Sequence, residues 1–418
     1  MIKRFFTFFI LLGISITLPA QTIKTGVLVV GNTPGSFSAS IQSARSGAKT
    51  ILLTQTPSLS AELSAEDLPY LEKIQNHYAF KDNKKSTLID SILSTNMSLE
   101  QSSMLIKSIA DTVKNLTVTL NNGIDKIEKD GKGWEIKLKG GQKIKADVLV
   151  DATQNLSVSS MLKIDPAKTI ISLSATDGPF DNKLYRSIVA AGYLEHTNSV
   201  RSVITIPLGA LLPAGVENFI LVPQNFDAVK HINMSTGQAA GSIAAFCAFF
   251  KTTTKNINVR VVQGELLAFD AQLVPFTDIK LNDPNALAFQ RMGVSGLLKP
   301  KIVKDGDLNT IQFDTAKTVS AKELQLPMKE FYSRSQIWFA DNKKEILTIG
   351  DAISLFMFTA ARGEELKREI EDGWKESFNF CGNFDLKRAI TRKEFAVLAD
   401  RYLQPFNVRI DLAGNLLS

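Results

Sequence analysis

Cysteine and histidine are scarce in this chain of 418 residues, which contains 2 Cys and 3 His. Two cysteines cannot form the framework of a small disulfide-rich protein, and there is no CxxC pair. Cys247 lies in an apolar stretch and Cys381 in a polar loop, so we expect both to be unpaired; a disulfide between them is the alternative. The three histidines, His77, His196 and His231, never fall at the spacing of metal ligands, and the sequence therefore predicts no zinc site.

Long apolar runs are missing except at the N-terminus, and the mean hydropathy of +0.03 argues against a multi-span membrane protein. There, Lys3 and Arg4 precede an apolar run, residues 5–16, and the small residue Ala20 follows it. These 12 residues are fewer than the roughly 18–20 that a membrane-spanning helix needs. We predict a signal peptide over residues 1–20, cleaved after Ala20, and a periplasmic or secreted protein; an uncleaved anchor helix is the alternative.

A concentrated basic patch is also missing. The chain carries 48 Lys and Arg against 42 Asp and Glu, and its net charge of +6 falls to +4 when Lys3 and Arg4 leave with the signal peptide. The densest basic run, residues 81–85, contains an acid and no aromatic residue that could stack on bases. Because nucleic-acid binding needs clustered cations, the sequence predicts no nucleic-acid partner.

The first informative segment of the chain covers residues 25–55. A β-branched apolar run at Val27–Val30 is typical of a parallel strand buried on both faces. A tight turn at 31–36, a helix at 37–44 and a second strand at 49–53 follow, with Gly47 as the helix stop. This β-α-β order predicts an α/β protein with a Rossmann-like layer of the kind that binds dinucleotides.

The glycines of this unit only partly match a dinucleotide site. The turn has the form Gly31-x-Thr33-x-x-Ser36, with an extra Gly35, so one glycine stands where three are expected. The acid that would hold a ribose hydroxyl after the second strand is replaced by Thr54. Two interpretations stay open: a Rossmann-like layer with its cofactor and one without it.

Two later segments extend the same fold. Residues 115–153 alternate with period two in three short runs, which predicts a β-meander leading into an apolar strand at Val148–Val150 and then Asp151-Ala152-Thr153. Residues 215–246 contain an apolar strand at 219–222 and a helix that opens near Thr236-Gly237-Gln238. Because a helix N-terminus presents free amides, this helix is suited to an anionic or carbonyl group of a cofactor.

In this order, the β-α-β opening, the strand ending in DAT and the GQAAG helix resemble the FAD-dependent oxidoreductase family that includes xanthan-lyase-associated proteins of exported bacterial systems. The resemblance covers roughly residues 21–250 and implies FAD as cofactor. It implies cofactor-binding roles for Gly31, Thr33, Pro34, Gly35, Ser36, Thr54, Asp151, Thr153, Gly237 and Gln238. The family's turn is close to GGTPAG, its glutamate falls on Thr54, and its Gly-Asp after DAT is absent at 154–155.

The C-terminal third has a different organisation. Three short sequences place Ser or Thr three positions before an acid, a pattern typical of helix capping boxes: Ser320 to Glu323, Thr348 to Asp351 and Thr391 to Glu394. This repeat resembles S-layer-homology modules, which can bind cell-wall polysaccharide through a basic residue that only Arg392 matches here; Ala321 and Ile349 stand at the other two positions. The alternative is a helical domain that packs against the flavin-like domain.

We therefore predict residues 21–250 as an FAD/NAD(P)-binding-like domain with an inserted substrate region, and residues 251–418 as an S-layer-homology-like helical domain. The function implied by the resemblance is that of an exported FAD-dependent oxidoreductase, a flavoprotein acting on a small or carbohydrate-derived substrate. The alternative is a noncatalytic, flavin-free relative that binds or scaffolds at the envelope, with polysaccharide as a partner. No catalytic residue can be assigned, because in flavoenzymes the cofactor carries the redox chemistry.

Overall fold

The structure is a computed structural model, and it describes residues 22–59, 70, 99–172, 180, 182–195, 201–223, 233–280, 282–305 and 308–417. The predicted signal peptide and all three histidines lie outside these residues. Among the described helices, none combines the length and the apolar character that a membrane span requires. No group of three or more His, Cys, Asp or Glu in the described part of the chain is arranged to hold a metal ion.

Strands and helices alternate in the first half of the chain, and helices dominate the second half. The strands are β1 (Thr22–Val30), β2 (Thr50–Leu53), β3 (Leu116–Thr119), β4 (Ile124–Asp130), β5 (Gly133–Leu138), β6 (Lys143–Asp151), β7 (Ile188–Glu195), β8 (Arg201–Pro207), β9 (Phe219–Leu221), β10 (Lys301–Asp305) and β11 (Leu308–Gln312). The helices are α1 (Pro34–Arg45), α2 (Leu99–Thr112), α3 (Ser157–Met161), α4 (Asn233–Phe249), α5 (Val259–Ala268), α6 (Ala286–Ser295), α7 (Ala321–Phe331), α8 (Ser335–Asp341), α9 (Ile349–Ala360), α10 (Glu365–Gly373) and α11 (Arg392–Tyr402).

The main sheet confirms the predicted α/β, Rossmann-like fold. Its strand order is β3-β2-β1-β6, and β9 also pairs with β6; all these pairs are parallel. On the side away from β1, the first half of β6 pairs with β5 of the antiparallel meander β4-β5 and its last residues pair with β9, so one long strand serves both parts of the sheet. The predicted meander is thus present, except that residues 116–119 form β3 at the edge of the parallel sheet. Since the strand order reverses between β1 and β6, a ligand crevice is expected at their carboxyl ends.

Alternate residues of β1 supply two cores. Val27 and Val29 face the helices α1 and α4, whereas Leu28 and Val30 face the layer that contains Trp134 of the meander. Residues 27–30 are at most 1% exposed, as the continuous apolar run predicted. The helix α1 begins at Pro34, three residues before the predicted start, because Thr33 caps it and a proline is well suited to the first helical position.

The helices α1 and α4 cross so closely that backbone touches backbone. A Cβ atom at Gly241 would lie 3.0 Å from both the carbonyl carbon and the Cα of Ala39, and one at Gly237 would lie 2.7 Å from the Cα of Gly35. The small residues on this face of α4 therefore serve helix packing, since any larger side chain there would push the two helices apart.

The three capping boxes predicted in the C-terminal third are all confirmed. Ser320, Thr348 and Thr391 each accept a hydrogen bond from the amide three residues later, and the acid at that position bonds back to the N-cap amide. The segments that carry the caps also pair with one another through antiparallel bridges, Thr318 with Thr391, Ser320 with Ile346 and Thr348 with Ala389. The three helix starts are thereby joined into one helical unit.

The two cysteines differ in accessibility, and this difference predicts their reactivity. Cys247 is buried in α4, where burial raises the pKa of its thiol to about 12, whereas Cys381 is exposed. Because the thiolate is the reactive form, a thiol reagent at pH 8 should modify one cysteine per folded chain and two after denaturation. Substituting Cys381→Ser should abolish labelling of the folded chain. Labelling of two thiols in the native protein would contradict the burial of Cys247.

Candidate functional site

The turn after β1 has the backbone that a phosphate-binding turn requires. Gly31 adopts a φ of 153°, and a Cβ atom there would lie 2.7 Å from the carbonyl carbon of Ala152, at the end of β6. The Thr33 hydroxyl donates a hydrogen bond to the Ala152 carbonyl oxygen at 3.0 Å. The turn is thus held against the neighbouring strand at the point where the strand order reverses. A side chain at position 31 would collide with the end of β6, so this close approach requires a glycine, and the predicted role of Gly31 at a phosphate stays a prediction.

Two amides at the start of α1, those of Thr33 and Ser36, form hydrogen bonds within the chain. Thr33 and Ser36 form a capping box in which the Ser36 amide donates to the Thr33 hydroxyl at 3.0 Å and the Thr33 amide donates to the Ser36 hydroxyl at 2.9 Å. Pro34 has no amide hydrogen to offer, and Gly35 packs under Gly237. The side chain of Ser36 therefore occupies the amide of Thr33, which a glycine at position 36 would leave available for a phosphate oxygen.

The end of β2 also satisfies its own polar groups. The Thr54 hydroxyl is 1% exposed, lies 2.7 Å from the Thr56 hydroxyl and accepts a hydrogen bond from the Thr56 amide at 3.1 Å. A hydroxyl in this position carries no charge and stabilises the turn that follows the strand. It therefore lacks the carboxylate that would accept hydrogen bonds from a ribose.

Asp151 is fully buried at the end of β6, and its carboxylate binds the chain that follows. One oxygen accepts from the amide and the hydroxyl of Thr153, at 3.2 and 2.7 Å, and the other accepts from the amide and the hydroxyl of Ser159, both at 2.7 Å. These four hydrogen bonds stabilise a buried carboxylate whose desolvation would otherwise be unfavourable. Ser159 was not identified from the sequence, since nothing in its neighbourhood marks it as a partner of Asp151.

Gly237 and Gln238 lie away from an exposed helix end. The structure describes α4 from Asn233 onward, so Gly237 is in the second described turn, where it faces Gly35. The Gln238 side chain is 3% exposed, and its amide donates to the Gln42 side chain at 3.0 Å and to the Phe269 carbonyl at 3.4 Å. In this structure the two residues therefore pack α4 against α1, and their predicted role at a cofactor stays a prediction.

A small cavity of about 210 Å³ opens beside the carboxyl ends of β6 and β9. Its lining is mainly apolar and consists of Leu156, Pro166, Ala167, Thr169, Ser172, Ala210, Leu221 and Pro223. The cavity contains none of the predicted cofactor residues. Its size and polarity are suited to a small apolar group rather than to a phosphate.

The backbone of the turn at Gly31 is compatible with FAD, but the residues that would bind its phosphate and ribose groups are not. Gly31 permits the required approach of backbone, yet the Ser36 hydroxyl occupies the Thr33 amide and Thr54 replaces the ribose-binding acid. A charge-assisted hydrogen bond contributes about 1.5–3 kcal/mol, so the loss of two such bonds corresponds to at least a hundredfold in affinity. We therefore derive no reaction step through FAD.

One protein family matches a segment in the N-terminal half of the chain. The family described as FAD dependent oxidoreductase matches residues 26–163, from β1 to the end of α3. This segment of the chain is similar to that family. No curated protein matches the chain.

Solved structures show distant similarities to parts of the chain. GidA of Aquifex aeolicus is 13% identical over 30% of this chain and 24% of its own, with a TM-score of 0.22. The bacillithiol disulfide reductase of Staphylococcus aureus is 14% identical over 31% of this chain and 38% of its own, with a TM-score of 0.22. The p-nitrophenol 4-monooxygenase PnpA of Pseudomonas putida DLL-E4 is 11% identical over 59% of this chain and 84% of its own, with a TM-score of 0.32. The first two matches span well under half of those proteins.

Arg392, the residue that matches the polysaccharide-binding position of S-layer-homology modules, is 4% exposed. Its guanidinium donates to the carbonyl oxygens of Phe313 and Lys299 at 2.7 and 2.8 Å and to the Glu323 carboxylate at 2.7 Å. These three bonds join α11 to the start of α7, to the chain before β10 and to the chain after β11. The guanidinium is therefore committed to packing, and a polysaccharide would have to bind through other groups.

Proposed function

We infer that this protein is an exported, flavin-free relative of the FAD-dependent oxidoreductases that acts at the cell envelope as a noncatalytic binding or scaffold protein. The observation that carries this proposal is the capping box of Thr33 and Ser36, which uses the amides at the start of α1. The capped turn, Thr54, Asp151 and Gln238 are all satisfied by hydrogen bonds within the chain. Such a fold is stable without a ligand at its crevice, because few buried polar groups there need one.

The helical C-terminal domain supports a scaffolding role. Its three helix starts are joined by antiparallel bridges, and Arg392 ties it internally, so it forms a rigid unit beside the α/β domain. Export by the signal peptide of residues 1–20 belongs to the same proposal, as does an envelope polysaccharide as partner.

A second candidate function is favoured by two observations: the retained conformation of Gly31 and the match of the FAD dependent oxidoreductase family to residues 26–163. In this alternative the protein is an FAD-dependent oxidoreductase that acts on a small or carbohydrate-derived substrate. The alternative requires that a ligand displace the Ser36 hydroxyl from the Thr33 amide.

Flavin content separates the two candidates directly. The purified chain without residues 1–20 is expected to be colourless, to release no FAD on denaturation, and to show no change in melting temperature when FAD is added. A yellow protein that absorbs near ~450 nm and releases FAD on denaturation would contradict our proposal and establish the second candidate.

Restoring the family's residues at positions 36 and 54 tests whether these two side chains are the cause of weak FAD binding. The double substitution Ser36→Gly and Thr54→Glu should free the Thr33 amide and supply the missing acid, raising the affinity for FAD by about a hundredfold or more over wild type. Ser40→Gly is the matched control, because it makes the same exchange one turn further along α1, where the hydroxyl bonds only to the Phe37 carbonyl. Equal FAD affinity in the restored and control variants would show that Ser36 and Thr54 do not determine cofactor binding.

A further inference from the structure

Two arginines are buried side by side where the α/β domain meets the C-terminal helices. Arg186 lies in the short 3-10 turn Lys183–Ser187 before β7 and is 3% exposed, and Arg260 lies in α5 and is 5% exposed. The Nη1 atom of Arg260 donates to the Arg186 carbonyl oxygen at 3.4 Å and to the Gln263 side chain at 2.8 Å. Burial, and after it the positive charge of Arg186, lower the pKa of Arg260. An arginine nevertheless keeps its proton in proteins, so both charges must be accommodated.

One carboxylate faces this pair. Glu330 of α7 binds Nη2 of Arg186 at 2.5 Å, and its side chain is 31% exposed. Arg260 has no carboxylate within salt-bridge distance in the described part of the chain; its Nε donates to the Val408 carbonyl at 3.3 Å and its guanidinium lies 5.0 Å from the centre of the Phe406 ring. Two buried cations and one acid leave a surplus of one positive charge. A buried charge without a counter-charge is costly.

Three hydrogen-bond donors at this place have no acceptor among the described residues: Nη1 of Arg186, Nη2 of Arg260 and the hydroxyl of Tyr185. Tyr185 is 2% exposed; burial raises the pKa of its phenol, whereas the charge of Arg186, a hydrogen bond from its guanidinium and the charge of Arg260 lower it, so both guanidinium groups lie near the hydroxyl. Another cation, the ammonium of Lys299, lies 5.7 Å from the centre of the Tyr185 ring. Every unpartnered group here donates, and the surrounding charge is positive.

We propose that Tyr185, Arg186 and Arg260 form a binding site for a small monovalent anion, with chloride as its simplest occupant, at the junction of the two domains. One negative charge balances the surplus, and a monatomic anion accepts hydrogen bonds from several directions at once. The bound anion holds the 3-10 turn, α5 and α7 together, because its donors come from the first two and Glu330 of the third binds the same arginine. This site is separate from the turn at Gly31 and does not depend on whether FAD binds.

The test compares the melting temperature of the full chain in sodium chloride and in sodium gluconate at equal ionic strength and pH. Wild type should melt at a higher temperature in chloride, with a saturable concentration dependence that follows mass action. Arg260→Met should abolish this difference, and Tyr185→Phe should weaken the apparent affinity for chloride severalfold. Arg334→Met is the control, since Arg334 also lies over a ring, 4.8 Å from the centre of Phe358, but is exposed; it should keep the wild-type response.

Equal melting temperatures of wild type in the two salts would overturn the proposal, as would a chloride response that survives in Arg260→Met. Where Arg260→Met fails to fold, crystals of wild type soaked in bromide give the answer through anomalous scattering. A bromide peak in contact with Nη2 of Arg260 and Nη1 of Arg186 supports the site. An ordered water in that position, with no bromide, would overturn it.

Discussion

Replacing Gly241 by alanine should lower the free energy of unfolding by about 2 kcal/mol or more, because the new methyl group would collide with the backbone of α1. Its Cβ would lie 3.0 Å from both the carbonyl carbon and the Cα of Ala39, and these atoms cannot rotate away as a side chain could. The helices α1 and α4 would have to separate, which loosens the layer that covers β1. Urea unfolding followed by circular dichroism measures the change.

The same exchange at Gly264 provides the control for this prediction. Gly264 lies inside α5, and the nearest atom to a Cβ there is a ring carbon of Phe406 at 4.0 Å, an ordinary contact distance. Because alanine is a better helix former than glycine by up to about 1 kcal/mol, Gly264→Ala should stabilise the protein. If Gly241→Ala lowers the free energy of unfolding and Gly264→Ala raises it, the difference is due to the contact between α1 and α4. A Gly241→Ala protein at least as stable as wild type would show that α1 and α4 do not touch there.

Removal of Arg392 should destabilise the chain by about 3–5 kcal/mol, because Oε2 of Glu323 and two carbonyl groups lose the guanidinium as donor and the carboxylate loses its counter-charge. The guanidinium is 4% exposed, and burial lowers its pKa while the nearby Glu323 raises it, which reflects a cation held inside the domain by its acid. Arg392→Met keeps most of the side-chain volume and removes the charge. Denaturant unfolding of Arg392→Met against wild type measures the loss.

The neighbouring residue is a matched control for Arg392. The ammonium of Lys393 lies 3.5 Å from the Asp283 carboxylate, and the Lys393 side chain is 27% exposed. Lys393→Met should therefore lower the free energy of unfolding by less than about 1 kcal/mol. If Arg392 instead serves to bind a polysaccharide, Arg392→Met should leave stability within this smaller range and reduce retention on envelope polysaccharide. A stable Arg392→Met protein would therefore reopen the interpretation that the resemblance to S-layer-homology modules implies.

Local patterns in the sequence correctly predicted those features that depend on neighbouring residues. The continuous apolar run at Val27–Val30 gave a buried parallel strand, since a strand covered on both faces needs no polar side chain. The three S/T-x-x-D/E patterns gave three capping boxes, because both partners of a box lie within four residues. The order of strands and helices then sufficed for the α/β class and the helical C-terminal domain.

Tertiary structure decided what the polar and small residues do. The sequence predicts that Asp151, Gly237 and Gln238 hold a cofactor, and this stays a prediction. Their contacts within the chain, with Ser159, Gly35 and Gln42, were not predicted, and two of these partners are about 200 residues distant. The paired burial of Arg186 and Arg260 likewise joins segments that the chain separates by 74 positions. Hydrogen-bond partners and helix crossings depend on distance in space, and a one-dimensional pattern does not contain that distance. The sequence by itself therefore determined the layers of this protein, and only the folded chain decided which of its polar groups remain free to bind a ligand.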